Sequence, residues 1–319
     1  MEKEKVRSLL PAATQSLFDD ISFSRVLGAT RHTDMIGQMI NSVIESNQDD
    51  PQKAFDAVIA VSEYFKSTRG TQSRAIYNGI NLMVPRPAPE VEAQGFLNDV
   101  QTRIKSYKSQ AAEELNKIVA YSKAIFESMR AVMVFDFSST VAAVLAALPS
   151  SVRVYIPESR ALDGGKPFVP YAQKAGVKTH FIPDTAIMHY LRECQAALTG
   201  AESFYPDGTL FNTIGTDLVA VACNYLNVPL YALTPLLKVD VRPVYGYIRS
   251  SPMPYDFVER LAGHWSPEER ENVDYKGVKL LSVSPQLVHA YITEEGIIPT
   301  AGLFPIAMKY NERLEGKYV

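Results

Sequence analysis

The chain has 319 residues, 46% of them hydrophobic and 21% charged, and its 32 basic and 35 acidic side chains leave a formal net charge of −3. That length buries a sizeable core and suits two domains, and that composition excludes disorder. The near balance of charge leaves no overall field for nucleic acid, no apolar run reaches the ~20 residues of a membrane span, and Met1-Glu2-Lys3-Glu4-Lys5 lacks the apolar stretch of a signal peptide. A cytoplasmic protein is expected, with no membrane contact and no direct nucleic-acid binding.

Residues 1–128 read as a helical domain. Thr33 to Ile44 repeats Met35, Ile36, Met39, Ile40 and Val43 at helical spacing. Asp50-Pro51 is a cap followed by proline at the first helical position, and Phe55, Val58, Ile59 and Phe65 mark one face of the helix it opens. In Lys66 to Arg74, Arg69 and Arg74 flank glycine and hydroxyl residues just before the helical run Ala75 to Met83. Guanidinium forks, hydroxyls and helix-start N–H groups there suit a phosphate, and they equally suit solvated capping. Three prolines between Pro85 and Pro89 make an extended linker. From Val91 to Met129 the apolar positions Leu97, Val100, Ile104, Tyr107, Ala111, Leu115, Ile118 and Ile125 predict one long helix, packed within the domain or against a second chain.

Residues 129–319 alternate short apolar runs with helical stretches. Ala131 to Phe135, Val152 to Ile156, Lys178 to Ile182, Ala196 to Ala201 and Pro229 to Leu233 predict a mainly parallel sheet covered on both faces, an α/β fold. Ligands of such sheets bind beyond the carboxyl ends of the strands. Asp136, Ser138, Ser139, Glu158-Ser159-Arg160, Asp184, Glu202 and Lys238 fall there. The stretch Gly200 to Thr216 carries Glu202 at a strand end, turns at Pro206-Asp207-Gly208, and opens a helix at Thr216. Arg242 to Lys276 reads as a surface excursion. Ser284-Pro285 is expected to open a helix through Ile292 that Thr293 to Gly296 closes. Cys194 and Cys223 each fall in a helical-looking apolar segment and read as buried hydrophobes. Neither cysteines nor the five histidines show metal-ligand spacing, and no glycine-rich dinucleotide or Walker motif occurs, so no metal and no cofactor are expected.

Ser159-Arg160, Gly200-Ala201-Glu202, Asn212-Thr213-Ile214-Gly215-Thr216 and Leu287 to Gly296 together resemble one superfamily. It holds the alpha, beta and delta subunits of translation initiation factor 2B, methylthioribose-1-phosphate isomerase and archaeal ribose-1,5-bisphosphate isomerase. The likeness covers most of residues 131–300 and extends more loosely to Leu27-Gly28-Ala29 and Thr68-Arg69-Gly70-Thr71. It implies an N-terminal helical domain, a Rossmann-like domain, a homodimer, and a small phosphorylated ligand held between the domains. It carries over Arg69 and Arg160 as phosphate or sugar ligands, Asn212 and Gly215 as pocket wall, and Lys238 where several relatives place a lysine.

The departures bear on chemistry. The isomerases of the family use a cysteine, whose position falls on Phe137 here, and an aspartate, whose position falls on Glu202. Asn-Thr-Ile-Gly replaces Asn-Lys-Ile-Gly, Leu27 replaces an arginine, and Asp163-Gly164-Gly165-Lys166-Pro167 stands where relatives carry a Gln-Gly pair. A phenyl ring moves no proton. The sequence therefore points to a binding protein for a sugar phosphate or nucleotide, resembling the alpha subunit of the translation factor. The alternative is an aldose–ketose phosphate isomerase with Glu202 and Asp136 as acid and base. A third reading is an assembly subunit of a translation-factor-like complex.

Overall fold

The structure, a computed structural model, describes residues 2–26, 28–247 and 254–315. The departure at Leu27 and the proline at 252 lie outside the described residues. The chain divides into two compact units: residues up to Glu113 with Leu237–Val239 and the chain from Met308 onward, and Glu114–Leu236 with Asp240–Ala307. The change of texture near residue 128 marks where the sheet begins, whereas the compact units part inside the long helix Ala93–Phe126. No helix among the described residues is long and apolar enough to cross a membrane.

The first unit is mostly helical. Helix Ala29–Ser46 buries Met35, Ile36, Met39, Ile40 and Val43 along one face. Helix Pro51–Ser67 is capped by Asp50, whose Oδ1 accepts the Lys53 N–H at 3.0 Å, and it adds Val58, Val61 and Phe65 to the same core. Helix Arg74–Met83 packs on Ala29–Ser46 through Gly79. A Cβ there would stand 2.7 Å from Thr33 Cγ2 and 2.9 Å from the Tyr107 hydroxyl, so the close approach requires glycine.

The second unit is built on a seven-stranded sheet. Its strands are β1 (Ala131–Phe135), β2 (Arg153–Pro157), β3 (Lys178–Ile182), β4 (Ala196–Thr199), β7 (Leu230–Leu233), β11 (Ala290–Thr293) and β12 (Gly296–Pro299). The remaining strands, β5 (Ser203–Phe204), β6 (Leu210–Thr213), β8 (Pro254–Asp256), β9 (Lys276–Val278) and β10 (Leu280–Val283), form two small antiparallel sheets. The main order is β12-β11-β7-β4-β1-β2-β3, parallel throughout except for β12 on β11. The central strands are buried along their length, which is why they read as continuous apolar runs rather than alternating ones. Because β1 leads outward to β2 on one side and β4 to β7 on the other, the strand order reverses between β1 and β4. Sheets that reverse in this way hold ligands in a crevice beyond the carboxyl ends of the strands, which marks that place as the candidate site.

Two sequence expectations are corrected. Residues 284–292 are not a helix: a single 3-10 turn, Pro285–Leu287, is followed by β11, which pairs with β12 through a hairpin at Glu294-Glu295. A short apolar run has no period to separate strand from helix. Gly296, at φ +126°, closes the hairpin with a backbone that favours glycine. Cys194 lies outside any helix, in the turn after helix Ile187–Leu191, where the chain must straighten for the Gln195 N–H to donate to Ala131 O at 2.9 Å. The 242–276 excursion holds the 3-10 turn Arg242–Tyr245, β8, the short helices Val258–Ala262 and Pro267–Arg270, and the start of β9.

The β11–β12 hairpin carries a buried carboxyl. Both Glu294 oxygens accept the Leu236 N–H, at 3.2 and 3.0 Å, just beyond β7. Burial, with the Glu114 charge adding to it, pushes Glu294 from 4.5 up to about 7. In the first unit, the Asn78 side chain is likewise buried. Its amide donates to Leu237 O at 2.8 Å and Val239 O at 2.9 Å, and so holds the segment that carries Lys238.

Each of these contacts has a measurable consequence. Because the folded Glu294 value lies above the unfolded one, its contribution is fully present below about pH 4.5 and is lost as pH rises through about 7. Glu294→Gln keeps an acceptor and removes the titration. It should be more stable than the parent at pH 8 by up to ~3 kcal/mol, with the gap closing towards pH 4, in urea melts run across pH. Asn78→Ala leaves two carbonyls without their donor and should lower stability by about 1–3 kcal/mol, read as a lower urea midpoint at unchanged slope.

Candidate functional site

The crevice is organised by Asp136, the first residue after β1. Its backbone turns through φ +56°, which folds the side chain inward, and the residue is only 7% exposed. Oδ1 accepts the Ser159 hydroxyl at 3.2 Å, and the Thr213 hydroxyl and the Phe137 N–H also bond the carboxyl. Burial pushes this carboxyl up from its ordinary value. Those three donors pull the other way, and the neighbouring Glu202 charge adds to the upward push. The proton is therefore held more tightly than on a free aspartate.

The loop after β2 closes on Asp136. Asp184 grips it from the next strand end, accepting the Ser159 N–H on Oδ1 and the Arg160 N–H on Oδ2, each at 2.8 Å. Ser159 and Asp163 both adopt positive φ, +50° and +54°, so the loop doubles back tightly. Gly164 then lies against Asp136. A Cβ at 164 would overlap the Asp136 carboxylate, so a glutamine there would exclude this carboxyl position.

The end of β4 forms the facing wall. Thr199 Oγ1 donates to Phe135 O at 3.2 Å, and the Asn212 amide donates to Thr199 Oγ1 at 2.9 Å and to Gly200 O at 3.3 Å. Asn212 is thus engaged in fixing the Thr199–Gly200 turn. Gly200 packs so closely on Ser138 that no side chain fits between them. Glu202 follows, half-buried, its N–H donating to Phe211 O at 2.9 Å. Ser138 caps helix Ser139–Ala146, with its Oγ accepting the Val141 N–H at 3.4 Å, and Ser139 is exposed at the first helical position. Gly215, at φ +99°, begins helix Thr216–Leu226, and its N–H donates to Asp217 Oδ1 at 3.2 Å.

Of the residues singled out from sequence, Asp136, Ser138, Ser139, Arg160, Glu202, Asn212 and Gly215 all lie around this crevice of the second unit. Arg69 and Lys238 belong to the first unit. There Arg69 opens the four-residue helix Arg69–Gln72 and donates from Nη1 to Gln72 Oε1 at 3.1 Å. Lys238 sits on the segment that Asn78 holds. Phe137, beside Asp136, is 39% exposed, with its ring 5.3 Å from that of Phe168 and 6.3 Å from that of Tyr171. Cys194 precedes β4, at the opposite end of the strand from the crevice, and Cys223 lies in the last turns of helix Thr216–Leu226. Burial pushes both thiols up to about 12. Among the described residues no three His, Cys, Asp or Glu side chains form a metal-binding group.

Sequence reasoning missed the parts played by Ser159 and Thr213 as donors to Asp136, and it missed Gly164. The Gly-Gly pair in Asp163-Gly164-Gly165 was the available signal, since adjacent glycines mark close backbone approach.

A family model described as the initiation factor 2 subunit family matches residues 29–300. The ribose 1,5-bisphosphate isomerase of Archaeoglobus fulgidus is 25% identical over 289 residues, 88% of either chain. The translation initiation factor eIF2B subunit beta of Dictyostelium discoideum is 28% identical over 188 residues, 58% of this chain and 48% of the other. The chain spans about half the length of most of the curated relatives it matches. The crystal structure of 5-methylthioribose 1-phosphate isomerase from Pyrococcus horikoshii OT3 aligns with a TM-score of 0.72 at 16% identity, over 96% of this chain and 92% of that one, a likeness of fold.

Proposed function

This chain belongs to the initiation factor 2 subunit family, and from that premise we propose that its crevice binds a phosphorylated sugar and moves a proton between the sugar's carbons. The observation that carries the reading is a pair of carboxyls: Asp136, buried and pushed up from its ordinary value, beside Glu202. Two carboxyls in one site can serve as acid and base to the same ligand. Glu202 removes the proton from C2 while Asp136 gives its proton to the ring oxygen as the bond from that oxygen to the phosphate-bearing C1 breaks, which yields an enol phosphate. Return of the first proton to the neighbouring carbon, and of a hydroxyl proton to Asp136, completes an aldose–ketose isomerisation without net gain or loss of protons. Arg160 and the first-turn N–H groups of helix Ser139–Ala146 supply the positive end that a phosphate seeks.

A second reading keeps the ligand and drops the turnover: a phosphosugar- or nucleotide-binding subunit of an assembly. Two observations favour it. Neither cysteine lies at the crevice, and helix Thr216–Leu226 exposes Leu218, Val221 and Tyr225 by 70, 55 and 71% at a spacing that sets them on one face. A second copy of the chain is the partner we assign to that face, giving a homodimer that a translation-factor-like complex would extend.

Two experiments separate the readings. With ribose 1,5-bisphosphate and methylthioribose 1-phosphate in heavy water, turnover should place deuterium on the sugar carbon. Asp136→Asn and Glu202→Gln should each slow it about a hundred- to ten-thousand-fold while ligand affinity stays within a few-fold. Turnover indifferent to Glu202→Gln would sink the isomerase. Sedimentation tests the apolar face: Leu218→Asp with Tyr225→Asp should convert a dimer to monomers, and an unchanged dimer would place the contact elsewhere.

A further inference from the structure

Asp163 sits between two arginines. One carboxylate oxygen faces Arg160 Nη1 at 3.5 Å, and the other accepts from Arg260 Nη1. Arg160 lies on the same loop, whereas Arg260 comes from helix Val258–Ala262, 97 residues away in sequence. The residue after Asp163 is Gly164, which lies against the Asp136 carboxylate, so the three charges stand at the rim of the crevice. All remain open to water, their side chains 60, 41 and 36% exposed for Arg160, Asp163 and Arg260.

Two guanidiniums share one carboxylate, and one positive charge is left over. Ion pairs this exposed are weakly held. A phosphate brings more charge and a third acceptor oxygen to the same two forks, whose planar donors suit it.

We propose that Arg160 and Arg260 form a phosphate clamp at the rim of the crevice, with Asp163 as the resident anion that phosphate displaces. The identity of the natural ligand rests on the phosphosugar reading, while the anion chemistry does not. Arg260 thereby becomes a ligand-binding residue supplied by the 242–276 excursion. Asp163 sets the affinity by competing for the same two forks, so removing its charge and removing Arg260 must act in opposite directions.

The test is a titration of the full chain with inorganic phosphate, followed by phosphorus NMR, with ribose 1,5-bisphosphate in a parallel series. Asp163→Asn should tighten phosphate binding about tenfold, and Arg260→Gln should weaken it about tenfold. No saturable phosphate binding, unchanged affinity in both variants, or a loss in both, would overturn the clamp. If the two variants behave as expected but the bisphosphate binds no tighter than phosphate itself, the clamp stands and the phosphosugar reading fails.

Discussion

An ionisable carboxyl buried at the end of a parallel strand has to be given hydrogen-bond donors, and the second unit meets that demand at Asp136 from three separate parts of the chain. Ser159 comes from the loop after β2, Thr213 from the end of β6, and the Phe137 N–H from the head of the following helix. Each donor is itself positioned. Asp184 fixes the Ser159 backbone, and pairing of β6 with β5 and β10 brings Thr213 back over the crevice. A buried polar group without such partners costs far more than a satisfied one contributes. The loop, the small sheet and the helix head are consequently coupled through one side chain.

Asp136, Gly164 and Thr213 belong to one arrangement. Gly164 leaves the space that the Asp136 carboxylate fills. Thr213 stands where the resemblance expects a lysine, and a hydroxyl bonds the carboxyl without bringing a positive charge that would hold it ionised. Burial is then free to push Asp136 up, with Glu202 assisting. A lysine at 213 or a longer side chain at 164 would undo the same property by different physics, one through charge and the other through volume.

The wall opposite depends on close backbone approach more than on charge. Asn212 joins β4 to β6 through Thr199 and Gly200, and the contact of Gly200 with Ser138 sets the spacing between the two strand ends that flank the crevice. Its expected place in a pocket wall is compatible with this, but the amide works by holding the turn. Glu202, half-buried, follows that fixed turn, immediately before β5.

The sequence alone determined the local features, because their causes lie within a few residues. Asp50-Pro51 starts a helix, the three-and-four spacing from Leu97 marks the long one, and apolar runs bounded by turns make β1 to β4. The same local view misjudged residues 284–292 and Cys194, where the deciding contacts are sheet pairings with strands far away in sequence. Tertiary structure alone decided that Asp136 is buried while Phe137 is exposed, and that Gly164 and Thr213 serve the carboxyl. It also decided that Asp163 shares two arginines and that Glu294 is buried. Each of these follows from strand order, which brings 136 beside 159 and 213, and no spacing along a chain records which strands will become neighbours.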